Sequence, residues 1–251
     1  NHVPQPQVKV TPLSACTSAV LDAADTVDQD DDQLRITWHF ADGSRAAGSR
    51  VTYDFQQPGE YAVKLTVQDD SGFVADQASV AVPVTINAPP KAHIRAPAAA
   101  APGEQVRFDG SASADADGKI VRYRWIFAKD REDNGPIIKH GFARPGLYPV
   151  RLLVTDDGPG LCTTDQARHN ILINAAPLAK FTCKRVAAPG EEVTLDAGQS
   201  LDSDGRIIAY HWDFGDQSSA RGVAVSHQFA APGLYPVRLQ VDDQTGLGNS
   251  S

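Results

Sequence analysis

Tyr210-His211-Trp212-Asp213-Phe214-Gly215-Asp216 decides the fold, because eroded copies of it recur upstream. They read Tyr123-Arg124-Trp125-Ile126-Phe127-Ala128 and Ile36-Thr37-Trp38-His39-Phe40-Ala41-Asp42-Gly43. The three tryptophans are the only ones in the chain, and each stands 87 residues from the next. One residue type at a constant interval marks a repeat array. Working outward, Pro58-Gly59-Glu60-Tyr61-Ala62-Val63-Lys64-Leu65 returns as Pro145-Gly146-Leu147-Tyr148-Pro149-Val150-Arg151-Leu152. It returns again as Pro232-Gly233-Leu234-Tyr235-Pro236-Val237-Arg238-Leu239. Asp28, Asp115 and Asp202 keep the same interval, as do Asp69, Asp156 and Asp243. Only the first copy starts short, without the Ala-Pro-Gly-Glu found at 101–104 and 188–191.

A chain of 251 residues with an 87-residue repeat divides into three small domains, 1–87, 88–174 and 175–251. A formal charge of −8 argues against nucleic acid or an anionic membrane surface as a partner. No apolar run approaches the ~20 residues of a membrane span. The chain has no Met and opens on Asn1 without a signal-peptide pattern, which reads as a mature or internal segment of a longer secreted precursor. Cys16, Cys162 and Cys183 show no zinc-ligand spacing.

The third copy shows the local pattern most clearly. Ala179–Cys183 alternates, and Ala188-Pro189-Gly190-Glu191 is a turn. Val193 and Leu195 alternate with polar neighbours, and 200–205 is an Asp-, Ser- and Gly-rich loop. Ile208, Tyr210, Trp212 and Phe214 then fall on one face of a strand, with His211 and Asp213 on the other. Beyond the Pro232-Gly233 turn, Tyr235, Val237, Leu239 and Val241 alternate strictly. No stretch carries a helical period with caps. Short strands between regular turn signals predict an all-β sandwich on a seven-strand plan, with Trp inward on the third strand. Tyr opens the sixth strand as a tyrosine corner.

Phe108-Asp109-Gly110-Ser111-Ala112-Ser113, Asp115-Ala116-Asp117-Gly118, Trp212-Asp213-Phe214-Gly215-Asp216 and the run from Pro232 resemble the polycystic kidney disease (PKD) domain. The resemblance covers nearly the whole chain. It implies immunoglobulin-like β-sandwiches, frequent in secreted bacterial proteins as non-catalytic modules, here three in an elongated rod. Ile126-Phe127-Ala128-Lys129 and Asp28-Gln29-Asp30-Asp31-Asp32 depart from the pattern. Pro89-Pro90 and Pro177 make the links between copies short and stiff. By the repeat, the last strand of the third domain lies beyond residue 251. Either this is a boundary of the segment, or the unpaired edge accepts a strand from another chain.

Ser113-x-Asp115-x-Asp117-Gly118 and Ser200-x-Asp202-x-Asp204-Gly205 echo the first half of a calcium loop. The twelfth position, where an EF-hand places a bidentate Glu, holds Arg124 and His211, so these are not EF-hands. End-to-end sandwiches gather further oxygens at each linker. The second domain gathers Asn87, Asp115, Asp117, Asp156 and Asp157, and the third gathers Asn174, Asp202, Asp204, Asp242 and Asp243. The first offers Asp28, Asp30, Asp69 and Asp70. Some PKD-like domains bind calcium near this linker, so the resemblance implies calcium here, stiffening each junction; the alternative is that these are ordinary turn residues. The same topology brings Cys16 and Cys162 to the first junction, either as an inter-domain disulfide or as separate thiols.

Catalytic motifs are absent: no Gly-x-Ser-x-Gly elbow, no His-Glu-x-x-His and no phosphate cradle occur. Aromatic residues are 7% of the chain, and Phe73, Tyr53 and Phe181 are too few for a polysaccharide platform. The expected role is spacing, presentation or adhesion toward protein partners or other domains, in an extracellular, cell-surface or periplasmic setting. The alternatives are an accessory region of a secreted hydrolase and a subunit of a surface or periplasmic assembly.

Overall fold

The computed structural model describes residues 2–30, 32–70, 72, 77–127, 131–244 and 249–250. Among them there is no helix, and therefore none long and apolar enough to cross a membrane. The chain divides into two compact units, Asn1–Arg95 with Asp109–Ile138 and Arg151–Arg168, and Ala96–Phe108 with Lys139–Val150 and His169–Ser251.

The first unit holds the first repeat as two sheets. One orders Lys9–Pro12, Ser18–Asp22 and Arg50–Asp54; the other orders Arg45–Ala47, Arg35–His39, Gly59–Gln68 and Gln77–Ile86. Alternation drives the layering. Trp38, Val63, Leu65, Val67, Val84 and Ile86 face Leu21 in a dry core, while their strand neighbours stay in water. The same unit contains the Ile120–Ile126 strand, antiparallel to Glu132–Asn134 and to 151–156.

The second unit repeats the plan. Thr182–Cys183, Glu192–Asp196 and Ala224–Gln228 form one sheet; Ser219–Arg221, Ile207–Asp213, Arg238–Asp243 and Asn249–Ser250 form the other. Its core packs Val193, Leu195, Leu239 and Val241 around Trp212 and Phe214. The unit also holds a parallel pairing of Leu172 with Ala99 and Ile173 with Ala100.

Three details differ from the sequence reading. Ile208 is not on the inward face: Ile207 pairs with Asp243 and Ala209 with Asp242, a bulge that leaves Ile208 more than half exposed. The same shift at Ile120–Arg122 exposes Val121, whereas Arg35–His39 pairs without one. The last strand of the third repeat is not wholly missing, since Asn249–Ser250 pairs with Gln240–Val241. Of the aromatics weighed as a sugar platform, Tyr53 stacks on Phe40 with ring centroids 3.5 Å apart. Phe181 meets the core Trp212 edge-on, and Phe73 lies outside the described residues.

A candidate cation seat at the linkers

The site begins at Asn87, the first residue after the last strand of the first repeat, Gln77–Ile86. Period-2 alternation turns Ile86 into the core, and Asn87 continues into the start of the next repeat, only 5% exposed. A buried amide must be paired. Asn87 Nδ2 donates to Asp156 Oδ2 at 3.1 Å, to the Cys162 carbonyl at 2.8 Å and to the Ala88 carbonyl at 3.0 Å. One residue on, Ala88 N donates to Asp117 Oδ2 at 2.9 Å. The linker is thus held by one acid from a loop, Asp117, and one from a strand end, Asp156.

Glycines leave the room for this. A Cβ on Gly158 would sit 1.5 Å from Asn87 Oδ1, and one on Gly118 would sit 2.5 Å from Asp157 Oδ1 and 2.8 Å from Asp115 Oδ2. Asp157 is held low in pKa, first by the Lys119 backbone N–H it accepts at 2.9 Å. Asp115 differs: both its carboxylate oxygens are enclosed, and neither has a hydrogen-bond partner in good geometry among the described residues. Burial, then the charges of Asp156 and Asp117, push its pKa up.

The second linker, inside the other unit, repeats the arrangement. Asn174 Nδ2 donates to Asp243 Oδ2 at 2.6 Å, and Ala175 N donates to Asp204 Oδ2 at 3.1 Å. Asp202 again has an enclosed oxygen without a donor. Asp242 is not part of the seat. It lies on the opposite face of its strand, where Oδ2 is 3.0 Å from His211 Nε2. Its 87-residue counterpart is Thr155, and that of Asp157 is Gln244.

In the first repeat Asp28, Asp30 and Asp32 offer carboxylate oxygens within 4.8 Å of one another. Asp28, through Oδ2, is the third residue with an enclosed oxygen that has no hydrogen-bond partner among the described residues. Asp69 is buried, and Asp70 Oδ1 accepts the Gln33 N–H at 3.2 Å. Asp30 is bonded to His2, which lowers its pKa. Burial and then Asp69, Asp28, Asp70 and Asp30 raise that of Asp32. Asp32 was legible only as one more acid in the run from Asp28.

Ser113 and Ser200 of the loop motif do other work: each Oγ accepts a backbone N–H, from His93 at 3.0 Å and from Lys180 at 3.1 Å. Cys16 and Cys162 form a disulfide, with Cα atoms 5.6 Å apart, and Cys183 is free and exposed.

The donor set fits a hard divalent cation. It is all oxygen, it has more carboxylates than nearby cations, and it includes enclosed oxygens that find no donor among the described residues. Asn87, Asp115, Asp117, Asp156 and Asp157 could hold such an ion at the first linker. Asn174, Asp202, Asp204 and Asp243 could do so at the second.

Sandwiches of this plan, repeated with acids gathered on each incoming linker, define a tandem array of immunoglobulin-like modules. The PKD domain profile matches residues 1–84, 87–171 and 174–251, and the chain belongs to that family. The dyslexia-associated protein KIAA0319 homolog of Mus musculus is 29% identical over 278 aligned residues, covering 99% of this chain and 25% of that protein. A microbial collagenase of Vibrio alginolyticus is 35% identical over 83 residues, 33% of this chain and 10% of that protein. The pre-pro-metalloprotease PrtV of Vibrio cholerae is 32% identical over 134 residues, 53% of this chain and 14% of that protein. The chain thus spans a quarter or less of the length of these relatives.

Proposed function

We propose that this chain is a non-catalytic, extracellular spacer that positions neighbouring domains or protein partners. In this reading, calcium bound at the linker seats stiffens its junctions. One observation carries the calcium reading: Asp28, Asp115 and Asp202, at one position of the repeat, each enclose a carboxylate oxygen with no hydrogen-bond partner among the described residues. An unpaired buried carboxylate is costly, and a cation shared with Asp117, Asp156 and Asp157 would offset that cost in the second repeat. The disulfide supports an oxidising compartment. The test is calorimetric titration of chelator-stripped protein with calcium, with magnesium as control. Saturable binding at two or three sites is expected, with Asp115→Asn and Asp202→Asn each removing one. No heat at millimolar calcium would reduce the acids to turn residues and leave a passive spacer.

A second reading, an accessory region of a secreted hydrolase, is favoured by the matches to a collagenase and a metalloprotease, which cover small parts of those proteins. It is compatible with the first, because an accessory region can also be a spacer.

A further inference from the structure

Cys16 occupies a backbone position that the other two repeats give to glycine. Its φ is 58°, and its 87-residue counterparts Gly103 and Gly190 have φ of 80° and 77°. Left-handed backbone is uncommon for residues that carry a side chain. At both glycines a Cβ would meet nothing within 4 Å, so the position looks outward. A cysteine here accepts a local backbone cost and gains reach, and what it reaches is Cys162.

Cys162 is in turn part of the linker seat. Its carbonyl accepts the Asn87 side-chain amide at 2.8 Å, and the same amide is held by Asp156 Oδ2. The next carbonyl, of Thr163, accepts the Asp156 backbone N–H at 3.0 Å. The disulfide therefore anchors the segment that closes over Asn87.

We propose that Cys16–Cys162 is a thiol–disulfide exchange site that works as a clamp: its redox state sets how firmly the first linker seat is held. A consequence that rests on the calcium reading above is that opening the clamp weakens cation binding there. Cys162 is 8% exposed and Cys16 is partly exposed, so a dithiol reductant attacks at Cys16 Sγ. The incoming thiolate bonds to Cys16 Sγ as the S–S bond breaks, and Cys162 leaves as thiolate and takes up a proton. The second thiol of the reductant then attacks the mixed disulfide and releases Cys16 as a thiol. Two electrons pass to the protein, and the dithiol becomes a disulfide. The second linker has no such clamp. The counterparts of the two cysteines are Gly103 and Asn249, and Cys183 is unpaired. It serves as the internal control.

The experiment is hydrogen exchange on the full chain carrying Cys183→Ala, in three forms: oxidised, reduced and alkylated, and Cys16→Gly. The glycine variant removes the disulfide while suiting the left-handed backbone, so it separates loss of the clamp from misfolding. In both open forms the Ala88 amide should exchange about 10-fold faster, with Ala175 unchanged. Equal protection of Ala88 in open and closed forms would overturn the proposal, and so would equal acceleration at Ala88 and Ala175. A calcium titration of the same samples should show about 10-fold weaker binding at one site only. If no form binds calcium, the calcium reading fails and the exchange data alone decide the clamp.

Discussion

Asp115 shows how a single residue can carry two opposite expectations. Its enclosed, donorless carboxylate is a cost in the metal-free protein and a ligand in the loaded one. Asp115→Asn should therefore raise the melting temperature of chelator-treated protein by about 2–4 °C while abolishing one equivalent of calcium binding. Calorimetry with and without calcium reads both, and a loss of stability in chelator would contradict the account. Gly158 gives the steric counterpart. Any side chain there collides with Asn87 Oδ1, so Gly158→Ala should unseat the linker amide and weaken calcium at that site about 10-fold. The acids themselves stood out in the sequence by their spacing. Gly158 did not, because its role comes from a segment 71 residues away folding over it.

At the scale of the element, each repeat carries the same two devices. The Tyr61, Tyr148 and Tyr235 hydroxyls donate to the carbonyls of Gln57, Arg144 and Ala231, four residues back. These are the predicted tyrosine corners, and Tyr148→Phe should cost about 1 kcal/mol in denaturant unfolding. The Trp38, Trp125 and Trp212 indoles each donate at 2.9 Å to a glycine carbonyl ten residues on, Gly48, Gly135 and Gly222. All three glycines have φ between 118° and 135°, a bend that side-chain-bearing residues seldom follow. Their 87-residue spacing was visible in the sequence, but only the fold shows that the turn faces the indole. Another turn predicts a pH dependence. Asp216 is held at about 2, first by Ser218 and then by His227, whose Nε2 lies 2.7 Å away. A depressed carboxylate contributes stability that is present above its unfolded value near 3.8 and lost as pH falls through about 2. Acid unfolding followed by circular dichroism should lose this part of the slope in Ser218→Ala, and an unchanged profile would remove the turn from the account. In the first repeat Asp42 and Tyr53 occupy the counterpart positions, with Tyr53 stacked on Phe40 as His227 is on Phe214.

For the whole molecule, the proposed function predicts a linkage. A ligand that binds only the folded state stabilises it by about 2.7 kcal/mol at 100 times its dissociation constant for each site. Calcium should therefore raise the thermal transition progressively with concentration, and magnesium should do so less because it tolerates fewer protein oxygens. A chain with a net charge of −8 also gains from any cation by screening. The discriminating result is a calcium effect that persists in 0.15 M salt and is lost in the double variant Asp115→Asn, Asp202→Asn. A shift that salt alone reproduces would assign it to screening.

The repeat, the all-β class, the inward tryptophans and the tyrosine corners were all legible in the chain as written. Each of these follows from local rules, a constant 87-residue interval and period-2 alternation, and needs no distant partner. Tertiary structure alone decided which acids share a seat. Strand alternation puts Asp242 and Asp243 on opposite faces, and only the pairing register shows that Asp242 faces His211 while Asp243 meets Asn174. It also decided that Cys16 and Cys162, 146 residues apart, are bonded. The physical reason is the same in both cases. Register and loop closure set where a side chain ends up, and a one-residue shift in a strand exchanges its two faces.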